Sequence, residues 1–288
     1  MHIGVDARSL SHKLTGIGSY CRCLIGALRE KGVKLTLFSH KKIDILPKEL
    51  QNLSVVSGNT QSMFEGLMWY ETELPKHLLN ANLDVFWGAG HRFPIRIPSS
   101  QINALTIHDL TWRKAPRTMA FKNFAAEALY MPNSLRKADI ILATSISTAS
   151  QLVHYKKNLE YKVAGIHGSS SLEGFESRFP PDPVKLKTRG SWGDNPQKKI
   201  ILAVGTIEPR KNLLRLLRAI ANLPSRLQED YQLIIAGGSG WGSQREIFEV
   251  KKTISMEIVF TDFVDQSDLN SLYNLSSVFV FPSLYEGF

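Results

Sequence analysis

The chain has 288 residues, of which 43% are hydrophobic and 21% charged, a composition typical of a soluble globular protein with room for two domains. No apolar run reaches the roughly 18–20 residues that cross a bilayer, and the N-terminus lacks the basic and apolar regions of a signal peptide, so we expect neither a membrane-spanning helix nor an exported protein. The formal net charge of +9 indicates an anionic partner.

The first half alternates strand and helix patterns. Apolar or alternating runs predict strands at 2–6, 33–39, 53–57, 84–87, 102–107 and 139–144. Helical spacing predicts helices at 62–79, with Pro75 as a kink or break, at 118–137 and at 147–155. A further helix follows a loop through Thr15–Gly18, and its predicted apolar face comprises Ile17, Tyr20, Cys21, Leu24 and Leu28. This order is typical of a parallel sheet covered by helices on both faces.

The composition changes at 167–198, which is rich in Gly, Ser, Pro and charged residues. We therefore predict a first domain at 1–170, an interdomain linker at 171–198 and a second domain at 199–288. The second domain repeats the alternation, with strands predicted at 200–204, 231–236, 257–260 and 277–281, and helices near 213–222, 243–252 and 267–275.

The charge is unevenly placed. Residues 1–165 hold 21 Lys and Arg against 12 Asp and Glu, whereas residues 166–288 hold 14 of each. No zinc spacing, aromatic RNA-binding run or helix-turn-helix pattern accompanies the basic half, so we expect no nucleic acid. An anionic membrane surface or a lipid-linked substrate is the favoured partner, and charge that serves only solubility is the alternative.

The two cysteines, Cys21 and Cys23, point to different sides of a predicted helix. We expect neither a disulfide nor a metal pair from them, and a reducing, cytoplasmic environment.

The stretch 200–220 carries the main functional signal. An apolar run breaks at Gly205, and the pattern resumes after Pro209 as a helix for which Asn212 is the expected N-cap. Arg210 and Lys211 precede a helix N-terminus, which already carries partial positive charge, so the arrangement becomes favourable when an anion binds there. We predict a strand–turn–helix that binds a phosphate or diphosphate; a solvated basic turn is the alternative.

Four clusters follow predicted strands: Gly16-Ile17-Gly18, His108-Asp109, Arg210-Lys211 and Glu286-Gly287. In open parallel sheets, ligands bind outside the carboxyl ends of the strands, and this set suits a nucleotide diphosphate. Each cluster also has a structural alternative: a turn for the glycines, a hydrogen-bonded core histidine for His108, and a helix N-terminal carboxylate for Glu286. The glycines at 237–242 lack the G-x-G-x-x-G spacing and are interpreted as a flexible loop.

No D-x-D motif is present, because Asp262, Asp265 and Asp268 are three residues apart. We therefore expect no essential metal and no cofactor other than a nucleotide-diphosphate co-substrate.

Several segments together resemble the family 4 retaining GT-B glycosyltransferases, especially bacterial mannosyl- and other hexosyltransferases of polysaccharide assembly. The segments are 16–20, 107–110, 138–145, 204–213, 235–241 and 263–288. The resemblance implies an α/β GT-B fold, in which two Rossmann-like parallel-sheet domains face each other across a cleft, here with an incomplete second domain. It also implies transfer of a hexose from a nucleotide-diphosphate sugar to a glycan or lipid-linked acceptor with retention, in O-antigen-type assembly.

The resemblance assigns donor-binding roles to individual residues. Lys211 and Arg210 would neutralise the donor diphosphate, and the loop of Gly16 and Gly18 would let the backbone approach it. Val264 lies where the backbone of such enzymes meets the nucleobase.

Two residues would act closer to the reacting sugar. The resemblance implies that His108 contacts the transferred sugar near its anomeric carbon and that Glu286 bonds sugar hydroxyls. We assign no nucleophile.

Two departures from the family pattern stand out. Many relatives have an arginine after the glycine of the phosphate loop, where this chain has Thr206. The second glutamate of the family motif would lie eight positions after Glu286, beyond Phe288, so we expect a truncated chain that is inactive or very weak alone.

Two other classes of protein remain as alternatives. One is a catalytically dead nucleotide-sugar-binding or scaffold protein. The other is a nicotinamide-dependent oxidoreductase, which the missing G-x-G-x-x-G disfavours.

Overall fold

A computed structural model describes residues 1–11, 16–43, 50–167, 192–242 and 244–288. The chain divides into two units. The first comprises Met1–Lys114, Phe121–Ser171 and Gly287–Phe288, and the second comprises Ala115–Ala120 and Leu172–Glu286. The linker predicted at 171–198 lies mostly outside the described residues, so the predicted boundaries stay predictions.

The first unit is built on a parallel seven-stranded sheet. Its strands are β1 (His2–Asp6), β2 (Lys34–Ser39), β3 (Ser54–Ser57), β4 (Val85–Gly88), β5 (Ile102–Ile107), β6 (Ile140–Ala143) and β7 (Val163–Gly165). They pair in the order β3-β2-β1-β4-β5-β6-β7. Its helices are α1 (Gly16–Glu30), α2 (Met63–Met68), α3 (Leu74–Asn80), α4 (Thr111–Lys114), α5 (Phe121–Lys137) and α6 (Ile146–Tyr155). The strand order reverses between β1 and β4, which is the point where open sheets of this kind bind ligands.

The second unit contains a parallel four-stranded sheet. Its strands are β8 (Lys199–Val204), β9 (Tyr231–Ala236), β10 (Glu257–Phe260) and β11 (Ser276–Phe279), in the order β10-β9-β8-β11. Its helices are α7 (Leu213–Ala221), α8 (Ser225–Asp230), α9 (Gln244–Lys251) and α10 (Gln266–Leu275). The order reverses between β8 and β11, so the loops that follow these two strands lie side by side.

Apolar periodicity explains most of these elements. The predicted face of α7 is confirmed, since Leu213, Leu216, Leu217 and Ile220 are its buried residues. Each such burial contributes about 1.5–3 kcal/mol. On α1, Cys21 is buried as predicted, but so is Ile25, which the predicted face omitted.

The helical stretch around Pro75 differs from the prediction. Residues 63–80 are helical throughout, but Trp69–Glu73 forms a π-helical turn immediately before α3. Pro75 lacks an N–H and crowds the preceding turn, and the wider π turn accommodates both effects without ending the helix.

Other boundaries shift by a few residues. The helix predicted from 118 begins at Phe121, after a short 3₁₀ turn at Pro116–Thr118. Three elements, β7, α4 and α8, were not predicted, because they are too short to show a period.

The two cysteines are free, as predicted. Burial raises the pKa of Cys21 to about 12, so this thiol is unreactive. Among the described residues, no helix combines the length and apolarity needed to cross a bilayer.

Candidate functional site

The basic turn of the second unit lies at the reversal of its strand order. Arg210 and Lys211 belong to a 3₁₀ turn, Pro209–Lys211, between β8 and α7. The loop that follows β11 crosses this turn, and the backbone N–H of Leu284 donates to the carbonyl of Arg210 at 2.8 Å. The carboxyl-end position predicted for the cation pair is therefore confirmed for this unit.

Glu286 occupies the place where an anion was predicted. Its two carboxylate oxygens lie 2.5 Å from Nη1 of Arg210 and 2.8 Å from Nζ of Lys211. Partial burial alone would raise the pKa of Glu286, but Lys211 and Arg210 hold it below its usual value, so the carboxylate is charged at neutral pH. Three residues that the sequence analysis singled out thus form one charged cluster.

Glu208 is a further member that the sequence analysis missed. Its carboxylate lies 2.7 Å from Nη2 of Arg210, and its side chain is only 7% exposed. Arg210 therefore faces two carboxylates, whereas Lys211 pairs with Glu286 and lies 4.6 Å from the ring centre of Phe281. The charge of Lys211 is therefore less neutralised within the protein than that of Arg210, and is more available to a diphosphate ligand.

The capping role predicted for Asn212 is wrong, although the residue does stand at the N-cap position of α7. Its backbone is left-handed, with φ 56°, and its side chain makes no capping hydrogen bond. Instead, Nδ2 donates to the carbonyl of Pro282 at 3.0 Å. Asn212 therefore joins the basic turn to the loop that carries Glu286.

Two of the glycines at 237–242 pack closely against other backbone, which corrects their interpretation as a flexible loop. A Cβ on Gly237 would lie 2.2 Å from the carbonyl oxygen of Gly205, and a Cβ on Gly240 would lie 2.6 Å from that of Ile207. Ile207 also forms a β-bridge with Ser239. The glycines are needed because the loop lies directly on the backbone that leads into Arg210 and Lys211.

Val264 follows β10 and is partly buried against the apolar cluster of Ile200, Leu202, Ile234, Ala236 and Leu272. This packing fixes the loop between β10 and α10. The role of its backbone towards a nucleobase stays a prediction.

In the first unit, Gly16 and Gly18 lie within α1 and not in a loop before it. Gly16 is the first residue of the helix and Gly18 is buried in its first turn. A Cβ on Gly16 would meet no atom of the described residues within 4 Å, so space among those residues does not require glycine there. Tyr20, one turn on, packs edge-on against the His108 ring, with 5.1 Å between ring centres.

His108 follows β5 directly, as predicted. Its Nε2 lies 2.9 Å from the carbonyl oxygen of Ala89, and its ring lies 5.3 Å from that of His91. Burial, followed by the charge of His91, lowers the pKa of His108 to about 4. The side chain is therefore a neutral imidazole at physiological pH.

His91 and Glu127 also belong to this histidine cluster, and the sequence analysis missed both. Nδ1 of His91 lies 3.3 Å from the Glu127 carboxylate, and the backbone N–H of His108 donates to Nε2 of His91 at 3.1 Å. Three distant segments supply these residues, so no local pattern could have shown the cluster.

Within the described ranges, no group of three or more His, Cys, Asp or Glu side chains is arranged to hold a metal ion. Metal independence of the reaction stays a prediction.

The two units together have the fold of GT-B glycosyltransferases. A crystal structure of WaaG, a glycosyltransferase involved in lipopolysaccharide biosynthesis, matches all of this chain with a TM-score of 0.74 at 13% identity, and the match covers 76% of that chain. HepE from Anabaena, in complex with UDP and glucose, matches all of this chain with a TM-score of 0.67 at 14% identity and 75% coverage of that chain. The predicted α/β GT-B fold class is confirmed.

Sequence comparison also finds similarity to glycosyltransferases. Residues 184–288 match the family model of glycosyl transferases group 1. The serotype-specific mannosyltransferase WbdA of Escherichia coli is 28% identical over 214 residues, which is 72% of this chain and 26% of WbdA. The chain thus spans about a quarter of that relative's length. The expected truncation, the family 4 assignment and retention stay predictions.

Proposed function

We propose that the chain is a family 4 retaining glycosyltransferase that moves a hexose, of mannose type, from a nucleotide-diphosphate sugar to a glycan or lipid-linked acceptor. The acceptor would belong to a bacterial polysaccharide of O-antigen type. The observation that carries the proposal is the cluster of Arg210, Lys211 and Glu286 at the strand-order reversal of a GT-B fold.

The chemistry of this cluster suits departure of a nucleoside diphosphate. Cations aimed at the diphosphate stabilise the charge that develops as the bond to the sugar breaks. The helix α7 begins directly after Lys211 and Asn212, and helix N-termini favour bound anions. Glu286 accepts hydrogen bonds, so in the donor complex it would bind sugar hydroxyls while the phosphates take over the cations.

The relatives support the choice of sugar and pathway. WbdA is a mannosyltransferase, and WaaG is involved in lipopolysaccharide biosynthesis. HepE was crystallised with UDP and glucose, which supports a nucleotide-sugar donor. Transfer would need no metal, because the two cations provide the charge that a divalent ion supplies elsewhere.

The test is a donor panel of GDP-mannose, UDP-glucose, UDP-N-acetylgalactosamine and ADP-glucose, measured by thermal shift and calorimetry and then by transfer. We expect saturable binding of GDP-mannose, unchanged by EDTA. Replacing both cations, Arg210→Gln with Lys211→Met, should weaken binding at least tenfold. Lys252→Met is the matched control, because Lys252 is an exposed lysine of the same unit that pairs only with Glu249 among the described carboxylates.

The outcomes separate the alternatives. Unchanged affinity in the double variant would contradict the proposal. Saturable binding without turnover, in an assay with a mannosylated lipid acceptor, would instead favour a nucleotide-sugar-binding protein. The anomeric configuration of the product, read by NMR, tests retention.

We also propose that the protein works in the cytoplasm, bound peripherally to the inner face of the cell membrane. Residues 1–165 hold the whole excess of positive charge. In the same half, α2 exposes Met63 at 78% and Phe64 at 71%. A net basic half that also exposes apolar side chains suits an anionic lipid surface.

A further inference from the structure

The imidazole of His108 carries its proton on an identifiable nitrogen. Nε2 lies 2.9 Å from the carbonyl oxygen of Ala89, and because a carbonyl can only accept, Nε2 must bear the proton. The lowered pKa keeps the ring neutral. Nδ1 therefore holds a lone pair, and no hydrogen bond from the described residues reaches it.

The position of the proton on the His91 ring follows from a partner of the opposite kind, a hydrogen-bond donor. The backbone N–H of His108 can only donate, and it points at Nε2 of His91 from 3.1 Å. Nε2 of His91 must be bare, so its proton sits on Nδ1, which faces the Glu127 carboxylate at 3.3 Å. The two histidines hold opposite tautomers. Each tautomer is fixed by a backbone partner that can only accept or only donate a hydrogen bond.

The backbone of His91 is held in an uncommon conformation to make this arrangement. Its φ is 60°, in the left-handed region that few residues other than glycine adopt, and its N–H donates to the carbonyl of Thr106 at 3.1 Å. The whole residue is only 8% exposed. Strain of this kind is retained where the surrounding structure fixes the residue for a purpose.

We infer that His91 and Glu127 are positioning residues that hold His108 as a neutral acceptor, with Nδ1 open to a hydroxyl of the transferred hexose. The inference rests on the proposed function, because that function supplies the sugar. Glu127 orients His91, and His91 fixes the peptide from which the His108 side chain projects.

Protonation of His91 would break the arrangement. Burial alone would lower the pKa of His91, but the Glu127 carboxylate outweighs it, and the pKa is raised. Once protonated, Nε2 becomes a donor facing the donor N–H of His108. The other groups that face the pair are Asp109, Arg92 and the phenol of Tyr20. The kcat for transfer should therefore fall on the acid side as His91 gains its proton, with little change in the affinity for the nucleotide sugar.

The direct test needs no enzymatic activity. Long-range proton–nitrogen NMR spectra of the full chain labelled with ¹⁵N-histidine, recorded from pH 5 to 8, report the tautomer of each ring. We expect a neutral Nε2–H ring for His108 throughout and a neutral Nδ1–H ring for His91 at high pH. Glu127→Gln should shift the His91 titration to lower pH, whereas Glu73→Gln, at an exposed carboxylate, should not.

Variants of His91 separate positioning from stability. His91→Gln offers a carbonyl oxygen near the place of Nε2 and cannot be protonated, so it should keep transfer and lose the acid limb of the pH profile. His91→Leu removes the acceptor and should lower kcat about tenfold, with the donor KM changed less than twofold. An Nδ1–H or charged His108 at pH 7, or a His91 titration unmoved by Glu127→Gln, would overturn the inference.

The two proposals fail separately. If the NMR spectra are as expected but no nucleotide sugar is bound or used, the proposed function is contradicted and the tautomers of the two histidines are still established. If transfer occurs but the NMR spectra show other tautomers, only the positioning role of His91 and Glu127 is contradicted.

Discussion

Glu286 is both the partner of two cations and a competitor for them. In this structure its carboxylate lies where a diphosphate would have to bind to reach Arg210 and Lys211. Its pKa is lowered, so the ion pairs are fully formed above the usual glutamate value of about 4.3 and are lost only as the pH falls through the lower value of the folded state. The competition therefore persists throughout the physiological range.

The residue-scale prediction is that Glu286→Gln has two effects of opposite sign. Binding of free GDP or UDP at pH 7 should tighten about fivefold, because a partly exposed ion pair worth roughly 1 kcal/mol no longer opposes it. The rate of transfer from the nucleotide sugar should fall, because the amide of Gln accepts a hydrogen bond from a sugar hydroxyl less strongly than the carboxylate does. Calorimetry measures the first effect and initial rates the second. Glu249→Gln, at an exposed carboxylate on α9, is the control, and weaker nucleotide binding in Glu286→Gln would contradict the competition.

Sequence reasoning found the charged residues that follow strands and missed those that reach the site from elsewhere. Arg210 lies in the turn that follows one predicted strand and His108 directly follows another, where parallel sheets bind ligands. Glu127 lies on the long helix α5, 36 residues from His91, and only the tertiary fold shows which of its neighbours it meets. The left-handed backbone of Asn212 was also missed, because its side chain binds a carbonyl 70 residues away.

At the scale of elements, the close contact between two loops holds the cation pair in place. Gly237, Gly240 and Gly242 leave no room for a side chain beside residues 205–209, whereas a Cβ on Gly238 would meet nothing within 4 Å among the described residues. This asymmetry depends on a partner loop some 30 residues earlier in the sequence. The spacing of the glycines alone therefore could not distinguish close packing from flexibility.

The element-scale prediction follows from that asymmetry. Gly240→Ala should lower the free energy of unfolding by about 1–3 kcal/mol, because its Cβ would overlap the carbonyl of Ile207 and force the loops apart. It should also weaken donor binding by displacing Arg210. Gly238→Ala, two residues away, should change neither quantity by more than about 0.5 kcal/mol. Urea unfolding and calorimetry give the comparison, and equal behaviour of the two variants would contradict the packing argument.

For the whole molecule, the alternation of strands and helices was sufficient to predict two parallel sheets, and the fold comparison confirms the GT-B class. The order of the strands could not be predicted from the sequence, because an apolar run such as 102–107 does not indicate which strand it pairs with. That order nevertheless decides the site, since it brings the loops after β8 and β11 together. The charge asymmetry, in contrast, was readable directly from the sequence.

The charge asymmetry and the exposed side chains of α2 together lead to a prediction about membrane binding. Gly66 packs α2 against His40, where a Cβ would lie 2.7 Å from the imidazole, and this contact turns Met63 and Phe64 outward. An exposed phenylalanine that inserts among lipid chains gains about 1.5–3 kcal/mol, and the positive charge of residues 1–165 adds attraction that salt screens.

We therefore expect the chain to sediment with vesicles containing phosphatidylglycerol and not with pure phosphatidylcholine vesicles. Met63→Ser with Phe64→Ser should weaken this binding at least tenfold, and raising the salt concentration from 0.1 to 0.5 M should weaken it further, because the Debye length falls well below 10 Å. Phe248→Ser is the matched control, since Phe248 is 62% exposed on α9 and lies within residues 166–288, where positive and negative charges balance. If the control variant lost binding equally, or if phosphatidylcholine vesicles bound as well, the attraction would be general hydrophobicity, and the basic half would have no specific role at a membrane.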